Sequence, residues 1–210
     1  MAVVLGALAW VVFATSVFAV REVRVTGSAI APPEQVRSTA EVTLGTPLAR
    51  IDVDAVRARV RALPSVADVD VHRAWPSTLV IAVVERRPVA AVPAADGYLL
   101  VDAEAVPFQS VARPPAGLAV VRVDSPGPSD PSTRAALSVL AALTPELRAK
   151  LSAVVAESPV RIHLELTGGR TVIWGDARDG ATKARVATAL LGQSGRTIDV
   201  SAPEVATVRP

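Results

Sequence analysis

The sequence predicts an α+β protein with three parts: an N-terminal transmembrane helix at residues 1–20, a small β-α-α-β-β unit at 21–88, and a second mixed α/β domain at 89–210 with a mainly antiparallel sheet. Three observations carry this. Residues 1–20, "MAVVLGALAWVVFATSVFAV", contain no charged side chain. Short runs of period-two alternation recur from residue 22 to the C-terminus, as half-buried strands require. Between them lie segments with a capping residue at one end and apolar positions on one helical face, so helices pack against sheets.

A helix of twenty residues rises about 30 Å, the thickness of a bilayer's hydrocarbon core. Arg21 and Arg24 follow it as interfacial residues. Two readings compete with it: a buried soluble helix, disfavoured because no polar face interrupts the run, and a cleaved signal peptide, because "VFA" at residues 17–19 carries small residues where cleavage occurs. Such a leader has a basic start and a shorter apolar centre, and this run has neither. Basic residues ordinarily stay in the cytoplasm, so flanking arginines placed after the helix lead to the expectation of a further basic tail upstream.

"VREVRVTGS" sets Val23 and Val25 against Glu22 and Arg24 and reads as a strand ending at Gly27. "APPEQVRSTA" opens a helix with two prolines and Glu34 in the first turn. "IDVDAVRARVRALP" is the clearest helix: Asp52 or Asp54 caps it, Val56, Val60 and Leu63 share a face, and Pro64 ends it. Val69 and Val71 lie opposite Asp68, Asp70 and His72. After the "WPST" turn, residues 79–84 are apolar on both faces, as for a strand inside a sheet. Trp75 and Pro76 fix that turn, and Glu85 to Pro88 close the unit.

Further on, "GYLLVDAEAVPF" reads as a hairpin and "GLAVVRV" as a strand, before the turn-rich break "DSPGPSDPS" at residues 124–132. "TRAALSVLAAL" and "TPELRAKL" read as helices. "VRIHLEL" and "GGRTVIWGD" pair through a Gly-Gly turn. "DGATKARVATALL" is a helix with Asp179 as cap and Val186 and Leu190 inward. "RTIDVSAPEVATVRP" closes the chain as two strand-like pieces split by Pro203.

Composition narrows the function. There are 22 basic and 20 acidic residues, and the net charge of +2 gives no basic stripe for nucleic acid. With no Cys, thiolate nucleophiles, disulfides and cysteine-ligated zinc are excluded. The two histidines, His72 and His163, both fall on the polar face of an alternating strand. Asp52 with Asp54 and Asp68 with Asp70 read as a helix cap and a wet strand face rather than a metal cage, which needs more oxygen ligands. "GDARDG" lacks the spacing and the Lys of a phosphate loop, and "GQSG" is not a nucleophile elbow. No catalytic residue, metal, cofactor or small-molecule substrate is expected. The polar groups of "VDVHRAWPSTLVIAVVERRPVA", residues 69–90, read as solvent face and edge trim.

An ordered set of segments covering nearly the whole chain resembles the FtsQ/DivIB family of bacterial cell-division proteins. It comprises the apolar run, "VREVRVTGS", the stretch "LGTPLARIDVDAVRARVRALPSVADVDVHRAWPSTLVIAVVERRPVA", "GYLLVDAEAVPF" and the closing "RTIDVSAPEVATVRP". Its most specific part runs from Pro64 to Ala90 and reads P-x-V-x-x-V-x-V-x-R-x-W-P-x-T-L-x-I-x-V-x-E-R-x-P-V-A. The abundance of Arg, Ala, Val and Pro resembles the actinobacterial branch.

The resemblance implies that residues 21–88 are a POTRA (polypeptide-transport-associated) domain and 89–210 the family's C-terminal β domain. It also implies a non-enzymatic, single-pass protein of the cytoplasmic membrane, with its body outside the cytoplasm and concentrated at the division septum. Its implied partners are FtsB (DivIC) and FtsL, with other division proteins meeting the POTRA domain, in a complex that regulates septal peptidoglycan synthesis. FtsB is expected to add as a strand near the C-terminus, since a sheet edge offers unpaired N–H and C=O groups. By position the residues assigned to it are Thr197, Ile198, Asp199 and Val200, then Val205, Ala206, Thr207, Val208 and Arg209, with Lys183 and Arg185 on the adjacent helix. Some relatives carry an aromatic where Ala202 stands, so the strand is transferred and no single hot spot. The other readings are a POTRA-bearing module of a protein transport system and a secreted enzyme. The first lacks the successive strands of a barrel, and the second lacks a pocket motif.

Overall fold

The computed structural model describes Met1 and residues 18–209. Of the membrane helix expected at residues 1–20, residues 2–17 lie outside the described residues, and residues 18–20 are part of the folded first unit instead. Among the described residues no helix is long and apolar enough to cross a membrane. The chain forms two compact units, Met1–Arg86 and Arg87–Pro210.

The first unit contains β1 (Glu22–Thr26), α1 (Pro33–Ala40), α2 (Val53–Arg61), β2 (Val66–Ala74) and β3 (Thr78–Glu85). The strands are ordered β1-β3-β2, with β1 parallel and β2 antiparallel to the central β3. Asp52 caps α2, its side chain accepting from the N–H groups of Asp54 and Ala55. Val36, Ala40, Val56 and Val60 pack against Val69, Val71, Leu79, Ile81 and Val83 as one buried cluster. Val20 belongs to this core, and Ala19 bridges Pro47, so the folded chain already includes the last residues of the apolar run.

Among the described residues only one face of the sheet is covered. Val84 is 58% exposed, so the double-sided apolar pattern of β3 reflects its central position and not burial on both faces.

The charged residues at 68–86 divide into two groups. Asp68, Asp70 and His72 lie exposed on the strand, with His72 Nδ1 2.9 Å from Asp70 Oδ2. Arg73, Glu85 and Arg86 are not edge trim; each one ties a loop. Arg73 donates to the carbonyls of Leu48 (2.9 Å) and Ile51 (2.6 Å). Arg86 donates to the carbonyl of Pro64 at 3.0 Å. One oxygen of Glu85 accepts from three successive backbone N–H groups, those of Ala29, Ile30 and Ala31, at 2.9, 2.7 and 2.9 Å.

Charge-assisted bonds of this type stabilise by about 1.5–3 kcal/mol, and loss of the acceptor strands three donors at once. Glu85→Ala should therefore lower the urea midpoint of this unit by the equivalent of roughly 2 kcal/mol. Asp70→Ala, on the open face of the same sheet, should leave the midpoint unchanged.

The second unit contains β4 (Ala90–Ala94), β5 (Gly97–Val101), β6 (Pro107–Val111), β7 (Ala119–Arg122), α3 (Pro131–Ala142), α4 (Pro145–Lys150), β8 (Leu151–Ser158), β9 (Arg161–Leu166), β10 (Arg170–Gly175), α5 (Gly180–Leu190), β11 (Thr197–Asp199) and β12 (Thr207–Arg209). Nine strands form one sheet in the order β12-β11-β10-β9-β8-β7-β4-β5-β6. It is mixed: β10–β11, β7–β8 and β4–β7 are parallel pairs, and the other five are antiparallel. The β9–β10 hairpin turns through Gly168 and Gly169, both at positive φ, as a tight turn matched to strand twist demands.

The core gathers Leu137, Leu140 and Leu147 from the helices against Val154, Ile162, Leu164, Val172, Trp174 and Ile198 from the sheet. Ala91, Leu100 and Phe108 form a smaller cluster of their own. The buried residues of α5 are Lys183, Ala184 and Ala187, whereas Val186 and Leu190 are only half-buried at its flanks. Asp179 starts this helix in the left-handed region (φ 53°) without a side-chain capping bond. The uncapped start corrects the sequence reading, whereas Val186 and Leu190 do face the core, packing against it from the flanks.

Candidate functional site

The C-terminal end of the nine-stranded sheet is built in three steps. Strand β10 ends at Gly175, α5 crosses over, and β11 returns parallel to β10 in the register Thr171↔Thr197, Val172↔Ile198 and Ile173↔Asp199. A parallel return of this type needs a crossover element, which α5 supplies. The chain then turns through a 3₁₀ segment, Pro203–Val205, and β12 lies antiparallel on β11 with Thr197↔Arg209, Ile198↔Val208 and Asp199↔Thr207.

Of the residues expected to receive a partner strand, Thr207, Val208 and Arg209 form the outermost strand of the sheet. Thr207 and Arg209 are exposed, and Val208 is half-buried against the core. The other assigned residues stand elsewhere. Thr197, Ile198 and Asp199 are paired on both sides, by β10 and β12, and so present no open edge. Val200 is fully buried, its N–H donating to the carbonyl of Ile173. Val205 is not in a strand: its N–H donates to the carbonyl of Ala202 within the 3₁₀ turn, and its side chain is exposed. Ala206 follows that turn and leads into β12. The 3₁₀ turn breaks the ladder because Pro203 lacks the donor that continuous pairing would use.

Lys183 is also withdrawn from the surface. It is 2% exposed, and its Nζ donates to the Asp176 carbonyl and to Asp176 Oδ1, both at 2.9 Å. Arg178 Nε donates to the other carboxylate oxygen at 2.6 Å. These bonds, that of Lys183 foremost, hold the Asp176 carboxyl down at about 2 against an ordinary 3.8. The cluster fastens the start of α5 to the end of β10 and so fixes the crossover that places β11. Arg185 is exposed and donates to Thr182 Oγ1 at 3.3 Å.

Two further ties were not visible in the sequence. Arg170 donates to the carbonyls of Leu191 (2.6 Å) and Gln193 (3.1 Å), pinning the loop after α5. Gly195 stands against β12 at φ 145°, so close that a Cβ there would lie 2.7 Å from the Arg209 carbonyl oxygen and 2.5 Å from Val208 Cγ1.

No cluster of three or more His, Cys, Asp or Glu side chains suited to a metal stands among the described residues. A cavity of about 530 Å³ lies beside α3, lined by Val89, Leu137 and Leu140 with Glu104, Arg134 and Arg148. Its lining offers neither a nucleophile–base pair nor paired carboxylates, the groups that acyl or glycosyl transfer would require. His163 lies half-buried on the sheet, near Thr171 and Ser201.

Two family models match the chain. "POTRA domain, FtsQ-type" covers residues 18–86, and "Cell division protein FtsQ/DivIB, C-terminal" covers residues 90–206. Among similar proteins, "Cell division protein FtsQ" of Mycolicibacterium smegmatis is 42% identical over 209 residues, covering all of this chain and 62% of the relative. The protein of the same name from Mycobacterium leprae is 43% identical over 197 residues, 94% of this chain and 58% of its own length. That of Streptomyces bingchenggensis is 39% identical over 211 residues, 95% and 79% respectively. The chain thus spans about three fifths of the length of the mycobacterial relatives. The two matches follow each other in the order of the two folded units, with relatives about 40% identical across both: the chain belongs to the FtsQ/DivIB family of cell-division proteins.

Proposed function

We propose that this chain is a non-enzymatic, membrane-anchored scaffold of the division machinery whose strand β12 receives an extended segment of FtsB as a tenth strand. One observation carries the reading: β12 is the last strand of the sheet, and its outer edge pairs with no strand among the described residues. An edge of this type binds through main-chain groups and leaves specificity to alternate side chains, here Thr207 and Arg209. The family's FtsB–FtsL pair then joins this edge, and the assembled complex regulates septal peptidoglycan synthesis. The part of the uncharged run that precedes the fold, residues 1–17, anchors the body outside the cytoplasmic membrane at the septum. Only Thr207 to Arg209 are retained as strand-addition residues, with Arg185 as an exposed neighbouring cation.

Proline substitution tests the edge. Successive N–H groups along a strand point to opposite sides, so of Thr207→Pro and Val208→Pro one strikes the bond to β11 and the other the open edge. The variant that leaves the melting temperature unchanged should bind FtsB about tenfold more weakly, the value of a lost hydrogen bond or two. Parent affinity in both variants, measured by titration calorimetry, rules out strand addition at β12.

A further inference from the structure

We propose that one end of the first unit, the end carrying Leu44 and Trp75, rests in the interfacial zone of the lipid bilayer as a second contact beside the anchor. The proposal rests on the reading of residues 1–20 as an anchor and adds a surface that this reading does not contain. Leu44 is 60% exposed and Trp75 52%; what singles them out is their place. Both are tied to the point where the apolar run enters the fold. Val20 N–H donates to the Thr46 carbonyl and Gly45 N–H to the Val20 carbonyl, each at 2.9 Å, which places the Leu44 loop against Val20. Arg21 N–H donates to the Ser77 carbonyl at 2.8 Å, which places the Trp75 turn against Arg21. The rings of Phe18 and Trp75 meet edge to face, with centroids 5.6 Å apart.

The occupant follows from what ends there. The uncharged run reaches this point at residue 18, and the seventeen residues before it fall at the short end of the range for a membrane-spanning segment. The bilayer surface therefore lies at the end of the unit that carries Phe18, Leu44 and Trp75. Trp is the residue of that zone, with an apolar ring for the acyl boundary and an N–H for the headgroups. Arg21 is exposed, and its guanidinium can reach headgroup phosphates. The opposite end of the sheet is the natural reference. Val84 is also 58% exposed, but it lies six residues along β3 from Thr78, about 20 Å away at strand spacing.

The chain contains no Cys, so single nitroxide labels can be placed on the full chain in phosphatidylglycerol–phosphatidylcholine vesicles. Labels go at Leu8→Cys in the apolar run, at Leu44→Cys and Trp75→Cys, and at Val84→Cys. The readout is the ratio of collisions with lipid-soluble oxygen to those with a water-soluble nickel chelate. The expected ratio at Leu44 and Trp75 is several-fold above that at Val84 and below that at Leu8. A high ratio at Leu8 with Leu44 and Trp75 equal to Val84 overturns the bilayer contact and leaves the anchor standing. A low ratio at Leu8 overturns the anchor, and the contact with it. Leu44→Cys alters only an exposed loop side chain, so its result stands even where replacing Trp75 loosens the turn.

Discussion

Asp176→Ala should cost the second unit about 3–5 kcal/mol, read as a fall in its unfolding midpoint of roughly 10 °C or more. The substitution removes the carboxylate that faces a 2%-exposed ammonium and leaves Lys183 with a single carbonyl acceptor. Lys183→Met should cost less, because it removes the buried charge itself and keeps an apolar stem of similar length. A larger loss in Lys183→Met than in Asp176→Ala contradicts the pair's assigned role. The effect has a pH signature. In the folded chain the Asp176 carboxyl titrates at about 2, below its ordinary 3.8, so the unfolded chain takes up the proton first. The contribution is fully present above about pH 4 and is lost as pH falls toward 2. Melting curves of the parent chain and of Asp176→Asn should therefore differ at pH 6 and converge toward pH 2.

Gly195→Ala should displace β12 and abolish binding at that edge, with at least a tenfold loss of affinity for FtsB. The added methyl would lie 2.7 Å from the Arg209 carbonyl oxygen, a backbone atom that yields only if the strand moves, and φ 145° is itself unfavourable for Ala. Because β12 is three residues long and terminal, the chain can relieve the clash by releasing it, so the rest of the sheet should stay folded. Gly192→Ala is the control. It lies in the same loop with nothing within 4 Å of its would-be Cβ, and it should bind as the parent does. Equal affinity in both variants places the binding surface away from β12.

Most of the elements were legible because their signals are local: the Asp52 cap, the Gly168-Gly169 turn, and alternation in β2 and β9. Two strands were not. Strand β8, "LSAVVAES", starts at Leu151, the residue after α4 ends, with no Gly or Pro to mark the change, and its alanines suit a helix as well. Strand β4, "AAVPA", contains Pro93, which argues against a central strand. That proline is tolerated because pairing with β7 is confined to Ala90 and Ala91, leaving Pro93 opposite Tyr98 alone.

At the candidate site, residue type misled in one direction. Lys183 reads as a surface cation, yet it is buried and bonded to Asp176, a partner set by the β10–α5 crossover. Strand order was hidden for the same reason. Which of two terminal strands lies outermost depends on the parallel return of β11 beside β10, a long-range pairing that periodicity does not encode. The motif residues Arg73, Glu85 and Arg86 were visible in sequence, but their carbonyl and N–H partners were not.

Backbone amide exchange of residues 18–210, begun at Phe18 because Ala19 and Val20 belong to the fold, with and without an FtsB peptide from the same cell, tests strand addition most directly. The expected result is new protection concentrated at residues 207–209, with β11 already protected in the free chain. Saturating peptide with unchanged exchange at 207–209, or protection centred on another edge of the sheet, contradicts it.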